Sequence, residues 1–164
     1  MFAALKSAFH HRSISSVPPR RQSGMLQTVR YMNHAELADL IKSGKVPGKD
    51  FAIIDVRDDD YIGGNIKGCI NYPSRDFLMN VDTLVRETKD VPLVIFHCML
   101  SQARGPKAAR VGIYAETRQN VLENDIRHEV AILRDGFSQF QLNYKDDPDL
   151  VENWDKDVWA SEWS

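Results

Sequence analysis

The chain has 164 residues, enough for one domain with a substantial core. Hydrophobic residues at 43% and charged residues at 27% are ordinary for a globular protein, and a net charge of −2 gives no reason to expect a nucleic-acid partner. No apolar run reaches membrane-spanning length, and the two cysteines, Cys69 and Cys98, are too few for a disulfide framework.

Free thiols suit a reducing compartment. His10, His11, His34, His97 and His128 show no zinc-type spacing, so neither a metal nor another cofactor is expected. The charge is unevenly spread. Lys6, Arg12, Arg20, Arg21 and Arg30 all precede the first acid, Glu36, which leaves 16 basic and 23 acidic residues in the remainder. Residues 1–26 therefore read as a basic extension. The acid-free, Arg- and Ser-bearing start resembles a mitochondrial transit peptide, and a basic tail without an address reads equally well.

A domain is expected over residues 27–144. Thr28-Val29-Arg30-Tyr31 reads as a short first strand. Asn33 with Glu36 three residues on is a capping-box pattern, opening a helix through Leu37, Leu40 and Ile41 that stops at Gly44. Phe51-Ala52-Ile53-Ile54-Asp55-Val56 is a continuous apolar run ending in charge, the pattern of a buried parallel strand. Asp58, Asp59 and Asp60 read as a solvated turn before Gly63-Gly64. Cys69 to Tyr72 makes a short strand, and Ser74 is expected to cap a helix through Phe77, Leu78, Val81, Leu84 and Val85.

Pro92-Leu93-Val94-Ile95-Phe96 is the clearest strand. A helix follows over Arg104 to Tyr114, with Ala108, Ala109, Ile113 and Tyr114 as packing positions. Residues 117–128 are polar and carry no clear pattern. Val130 to Leu133 is a last strand, and Asp135-Gly136 turns into a helix using Phe137, Phe140 and Tyr144. Residues 145–164 form an acidic tail with seven acids and two bases. Pro148 suits the first turn of a helix there, with Leu150, Val151, Trp154 and Val158 on one face and Trp159 and Trp163 off it. Strands alternating with helices give an α/β domain with a mainly parallel sheet.

Ligands of such sheets bind beyond the carboxyl ends of strands, where Cys98 sits. Five residues, Met99, Leu100, Ser101, Gln102 and Ala103, separate it from Arg104, and Gly105-Pro106 follow. If this loop curls, its backbone N–H groups form an anion nest, reinforced by the start of the next helix. Arg104 offers two N–H groups to two oxygens of a tetrahedral oxyanion. The same field favours the thiolate of Cys98, the nucleophilic form. A small buried hydrophobe at a strand end would account for Cys98 alone, but not for the arginine, serine and Gly-Pro around it.

His97-Cys98, five residues, then Arg104-Gly105-Pro106 resembles the signature of rhodanese-fold phosphatases of the cell-division-cycle type. It looks closest to small fungal members and the related eukaryotic arsenate reductases. Ile54-Asp55-Val56-Arg57 with Tyr61 to Gly68, and Leu133 to Phe137 with Phe140, are similar to two further blocks of that family.

The resemblance implies a rhodanese-like three-layer sandwich with a mainly parallel five-stranded sheet. It implies Cys98 as nucleophile through a cysteinyl phosphate, Met99 to Arg104 as phosphate cradle, and His97 and Gly105 in support. Sulfurtransferase members have a loop one residue shorter, so thiosulfate sulfurtransferase is the weaker alternative.

Several positions depart from the family. Met99 and Ala103 stand where the cell-cycle enzymes carry loop acids, leaving the proton donor unassigned; Asp58, Asp59 and Asp60 are candidates for it by charge alone and read rather as a solvated turn. Val56 replaces their second cysteine, and Cys69 reads as core. Asn65 replaces a histidine, Asp55 and Arg57 read as a structural ion pair, and the plant members' zinc-binding cysteines have no counterpart.

The expected activity is phosphomonoester hydrolysis, on a phosphorylated protein or a small phosphomonoester. The alternatives are arsenate reduction with glutathione or glutaredoxin as the external thiol, and phospho-ligand binding without turnover. A monomer without membrane contact is expected. The resemblance points to cytoplasm and nucleus, the N-terminus to mitochondria.

Overall fold

A computed structural model describes residues 29–110, 114, 118 and 128–161. The N-terminal extension, Thr28, Ile113, most of 117–128 and Trp163 lie outside the described residues.

Five strands form one sheet in the order β1-β6-β5-β2-β4, all parallel. They are β1 (Arg30–Met32), β2 (Ala52–Asp55), β4 (Ile70–Asn71), β5 (Leu93–His97) and β6 (Glu129–Leu133). β5 occupies the centre, in register with β2 at Asp55↔His97 and with β6 at Phe96↔Ile132. Because β2, β5 and β6 run the same way, their carboxyl ends open onto one edge. That edge holds the site.

The two faces of the sheet bury different halves of the sequence, as strand alternation requires. Ile54, Val56, Val94, Phe96, Val130 and Ile132 face α2 (Phe77–Glu87) and α3 (Arg104–Ala109). Phe51, Ile53, Ile95, Ala131 and Leu133 face α1 (His34–Lys42) and α4 (Gly136–Tyr144). The result is three layers, helix on sheet on helix. Phe96 is fully buried, with the Phe77 ring edge-on at 6.0 Å and the Tyr114 ring at 5.1 Å. Burying a ring of this size contributes about 1.5–3 kcal/mol.

The expected capping box at α1 is present. Asn33 Oδ1 accepts from the Glu36 N–H, and Glu36 Oε2 accepts from the Asn33 N–H.

Three expectations change. The helix from Arg104, expected to reach Tyr114, ends at Ala109, because Arg110 turns to an extended conformation at ψ 160. Ser74 does not cap α2: Asp76 holds that position without a side-chain bond, and the Ser74 hydroxyl instead donates to Asp58. The tail is not one helix from Pro148. Residues 148–150 turn, β7 (Val151–Glu152) pairs antiparallel with β3 (Asn65–Ile66), and a short α5 (Lys156–Ser161) follows. Asn153, at φ +58, breaks any continuous helix there.

The same pairing explains Asn65. Its amide donates to Glu152, and its carbonyl accepts from Asn153. Trp159, expected off the packing face, is buried against Phe137 and donates its indole N–H to the Gly63 carbonyl at 2.7 Å.

Candidate active site

Cys98 leaves β5 directly after His97 and is 3% exposed. The Ser101 N–H donates to its Sγ at 3.2 Å, and the Cys98 N–H donates back to Ser101 Oγ at 3.4 Å. This reciprocal pair curls the loop, with Ser101 at φ +49. His97 donates from Nδ1 to the Cys98 carbonyl at 3.3 Å. Gly105 brings the start of α3 against the end of β5; a Cβ there would stand 3.3 Å from His97 Cα.

Behind the loop lies the first turn of α4. A helix start leaves amides without intrahelical partners. Here Phe137 N–H donates to the Cys98 carbonyl at 3.0 Å and Ser138 N–H to the Met99 carbonyl at 2.9 Å. In a trans peptide the N–H points opposite to the C=O of the same unit. The Met99 and Leu100 amides therefore face away from α4. Among the described contacts, the amides of Met99, Leu100, Gln102, Ala103 and Arg104 have no protein acceptor.

Gly136 makes this approach possible. It adopts φ +59, and an added Cβ would lie 2.7 Å from the Met99 carbonyl carbon and closer still to the Cys98 and Met99 oxygens. Gly136→Ala should cost about 1–3 kcal/mol of stability through backbone strain alone. Displacing the loop should also lower turnover by about 10²-fold. Thermal unfolding and steady-state kinetics on the variant check both.

The solvated-turn reading of Asp58 and Asp60 is overturned. The end of β2 lies beside the end of β5, so the Asp58–Asp60 turn reaches Arg104. Asp60 binds it through two bonds, Oδ1 to Nη1 at 2.6 Å and Oδ2 to Nη2 at 2.5 Å. Asp58 Oδ2 adds a contact at 3.2 Å. Only Asp59 remains a largely exposed residue, paired with Arg75.

The Arg104 hydrogen bonds hold the Asp60 carboxyl below its ordinary value, against its partial burial. For Asp58, burial opposes ionisation, but bonds from Ser74, the Arg75 amide and Arg104 outweigh it and the pKa falls. Asp60 occupies the Nη1–Nη2 edge of the guanidinium. The Nε edge carries no contact among the described residues.

A cavity of about 410 Å³ opens here, lined by Asp60, Cys98 and Arg104 together with Met99, Leu100, Gln102 and Ala103. Ser101 is not among these lining residues; it is buried against Cys98.

Beneath the site, on the α1/α4 side of the sheet, Asp55 and Arg57 form the expected ion pair, both fully buried. Arg57 Nε and Nη2 each lie 2.8 Å from Asp55 Oδ2. The guanidinium also donates to the carbonyls of Gly64 at 2.9 Å and Asp60 at 3.3 Å, between the rings of Tyr61 and Phe137. Arg57 thus ties the Asp60 turn to α4.

His97 Nε2 lies 3.6 Å from Asp55 Oδ2, and burial, with the Arg57 charge against and Asp55 for it, keeps this imidazole's pKa below 6.5. Asp55, Cys69 and His97 bring possible ligand atoms within 4.8 Å of one another. Arg57 already supplies the positive partner of that carboxylate, which makes the cluster a poor cation site. Burial, with the Asp55 charge adding to it, pushes the Cys69 thiol up to about 11. Cys69 packs with the α1/α4 core and Cys98 with the α2/α3 core, on opposite faces of the sheet.

A parallel sheet ending in a Cys-x5-Arg loop, with loop amides free of protein acceptors among the described residues, is an arrangement that can hold an oxyanion against a thiol. The chain belongs to the rhodanese-like family, whose Rhodanese-like domain profile matches residues 33–143. It is 32% identical to the CDC25-like phosphatase YCH1 of Saccharomyces cerevisiae, over 82% of this chain and 96% of that protein. It is 30% identical to arsenate reductase 2.1 of Oryza sativa, over 80% and 84% of the two chains. Its fold matches Ygr203w, a yeast protein tyrosine phosphatase of the rhodanese family, with a TM-score of 0.66 at 30% identity, covering 82% of this chain and 99% of that one. These relatives are enzymes, phosphatases and arsenate reductases.

Proposed function

We propose that this chain is a cysteine-dependent phosphatase, of the tyrosine or dual-specificity type, acting on phosphomonoesters. The observation that carries the reading is the Cys98 thiol at the floor of a cavity rimmed by Arg104 and by amides without protein acceptors. A phosphoryl group seated there meets the sulfur from one side. Its oxygens take the free loop amides and the open Nε edge of Arg104. The thiolate attacks phosphorus, the leaving oxygen departs, and water hydrolyses the cysteinyl phosphate. Preorganised donors of this kind are worth about 10²–10³-fold each in rate.

Arsenate reduction is the second reading. It is favoured by the equally broad similarity to the rice reductase and by the absence of an acid in the loop. Two thiols must supply the two electrons. Cys69 lies across the sheet from Cys98 and its thiol is held protonated, so the second thiol comes from outside, such as glutathione or glutaredoxin.

Purified protein assayed with an aryl phosphate and with arsenate, each with and without glutathione, separates the two. Phosphate release independent of thiol is the expected result. Arsenite formation that requires thiol, with no aryl phosphate turnover, replaces the first reading by the second.

A further inference from the structure

We propose that Asp60 is the proton donor to the leaving group, an assignment that rests on the phosphatase reading above. The Cys98 loop contains no acid to fill that role. Met99, Leu100 and Ala103 carry no acidic proton, Gln102 is a neutral amide, and the Ser101 hydroxyl is turned inward to the Cys98 amide. Asp60 is the one carboxyl group lining the cavity that holds Cys98 and Arg104.

Asp58 is differently placed. Its Oδ2 accepts from Ser74 and Arg104 and its Oδ1 from the Arg75 amide, so both oxygens are committed as acceptors. Asp60 accepts from the Asp58 amide on Oδ1 and otherwise only from Arg104, on both oxygens, and of the two carboxyls it alone lines the cavity. Arg104 is the cation that holds the Asp60 carboxyl below its ordinary value. An oxyanion on Arg104 spends that charge on itself and sets a negative group opposite Asp60, with Asp58 a second one nearby. Both changes favour the protonated carboxyl. The ligand that needs the proton therefore creates the acid.

The step balances without a further reactant. As the S–P bond forms and the P–O bond breaks, the Asp60 proton passes to the leaving oxygen and Asp60 becomes a carboxylate. In the second step that carboxylate takes a proton from the attacking water, the S–P bond breaks, and the thiolate and the acid are restored.

The test compares leaving groups. Asp60→Asn should lower kcat for phenyl phosphate, whose basic leaving group needs a proton, by about 10²-fold or more. p-Nitrophenyl phosphate, whose leaving group needs little help, should fall much less, so that the ratio of the two rates changes by at least about tenfold. Thermal unfolding reports whether the variant is folded. In the wild-type enzyme, across a series of aryl phosphates, rate should depend only weakly on leaving-group basicity. Equal loss on both substrates, or a steep wild-type dependence, overturns the assignment and leaves Asp60 as a residue that only positions Arg104. Absence of Cys98-dependent turnover of every aryl phosphate removes the phosphatase reading itself, and this assignment with it.

Discussion

Cys98→Ser should abolish aryl phosphate turnover, by on the order of 10⁴-fold or more, while leaving the fold intact. The sulfur contacts only the Ser101 amide in the loop, and an oxygen there can accept the same bond. His97 is not placed to activate a serine hydroxyl at this position, since it turns its Nδ1 to the Cys98 carbonyl and its Nε2 toward Asp55, and a hydroxyl is a far weaker nucleophile than a thiolate. Binding of inorganic phosphate should survive the change, because the cradle amides and Arg104 are untouched. Steady-state kinetics with calorimetric phosphate binding on the same preparation reads both halves of the expectation.

The second large effect concerns stability. Arg57→Ala should lower the unfolding free energy by about 3–5 kcal/mol, as expected when one partner of a buried ion pair is removed and the other charge is left unpaired. Asp55 has no exposed surface through which water could take over. The substitution also removes the cation between Tyr61 and Phe137 and the bonds that hold the Gly64 and Asp60 carbonyls. Chemical denaturation measures the loss. Replacing Arg57 and Asp55 together with apolar residues should cost less than Arg57→Ala alone, because no charge is then stranded.

The central strand and its loop were readable in the sequence because their signals are local. The apolar run before His97-Cys98 marks a buried strand, as Val94, Ile95 and Phe96 are, and the Cys98–Arg104 spacing sets the size of ion the loop can curl around. The capping box at Asn33 is equally local, with donor and acceptor three residues apart.

Asp60 was readable as a proton-donor candidate by charge alone, not by position. Its chemistry depends on β2 lying beside β5, a neighbour 40 or so residues away in sequence, and on Arg57 pinning the turn from below. Three consecutive aspartates look like a solvated turn until Arg104 is placed against two of them.

Gly136 was legible as a turn but not as the floor of the loop, since nothing near it in sequence shows what it packs against. The tail misled for a different reason. Leu150, Val151, Trp154 and Val158 do recur at helical spacing, yet a two-residue pairing with Asn65–Ile66 outweighs that pattern. Such short ladders leave no periodic trace. Ser74 shows the same competition on a smaller scale: a good helix cap by residue type is used instead to fasten Asp58.

The central claim, that Cys98 carries the phosphoryl group during turnover, is tested most directly by trapping that intermediate. Acid quench within the first turnover, followed by mass analysis of peptides, should find one phosphoryl group on the peptide containing Cys98 in the wild-type protein and none in Cys98→Ser. Turnover without a phosphorylated Cys98, or a phosphoryl group on a different residue, would contradict it.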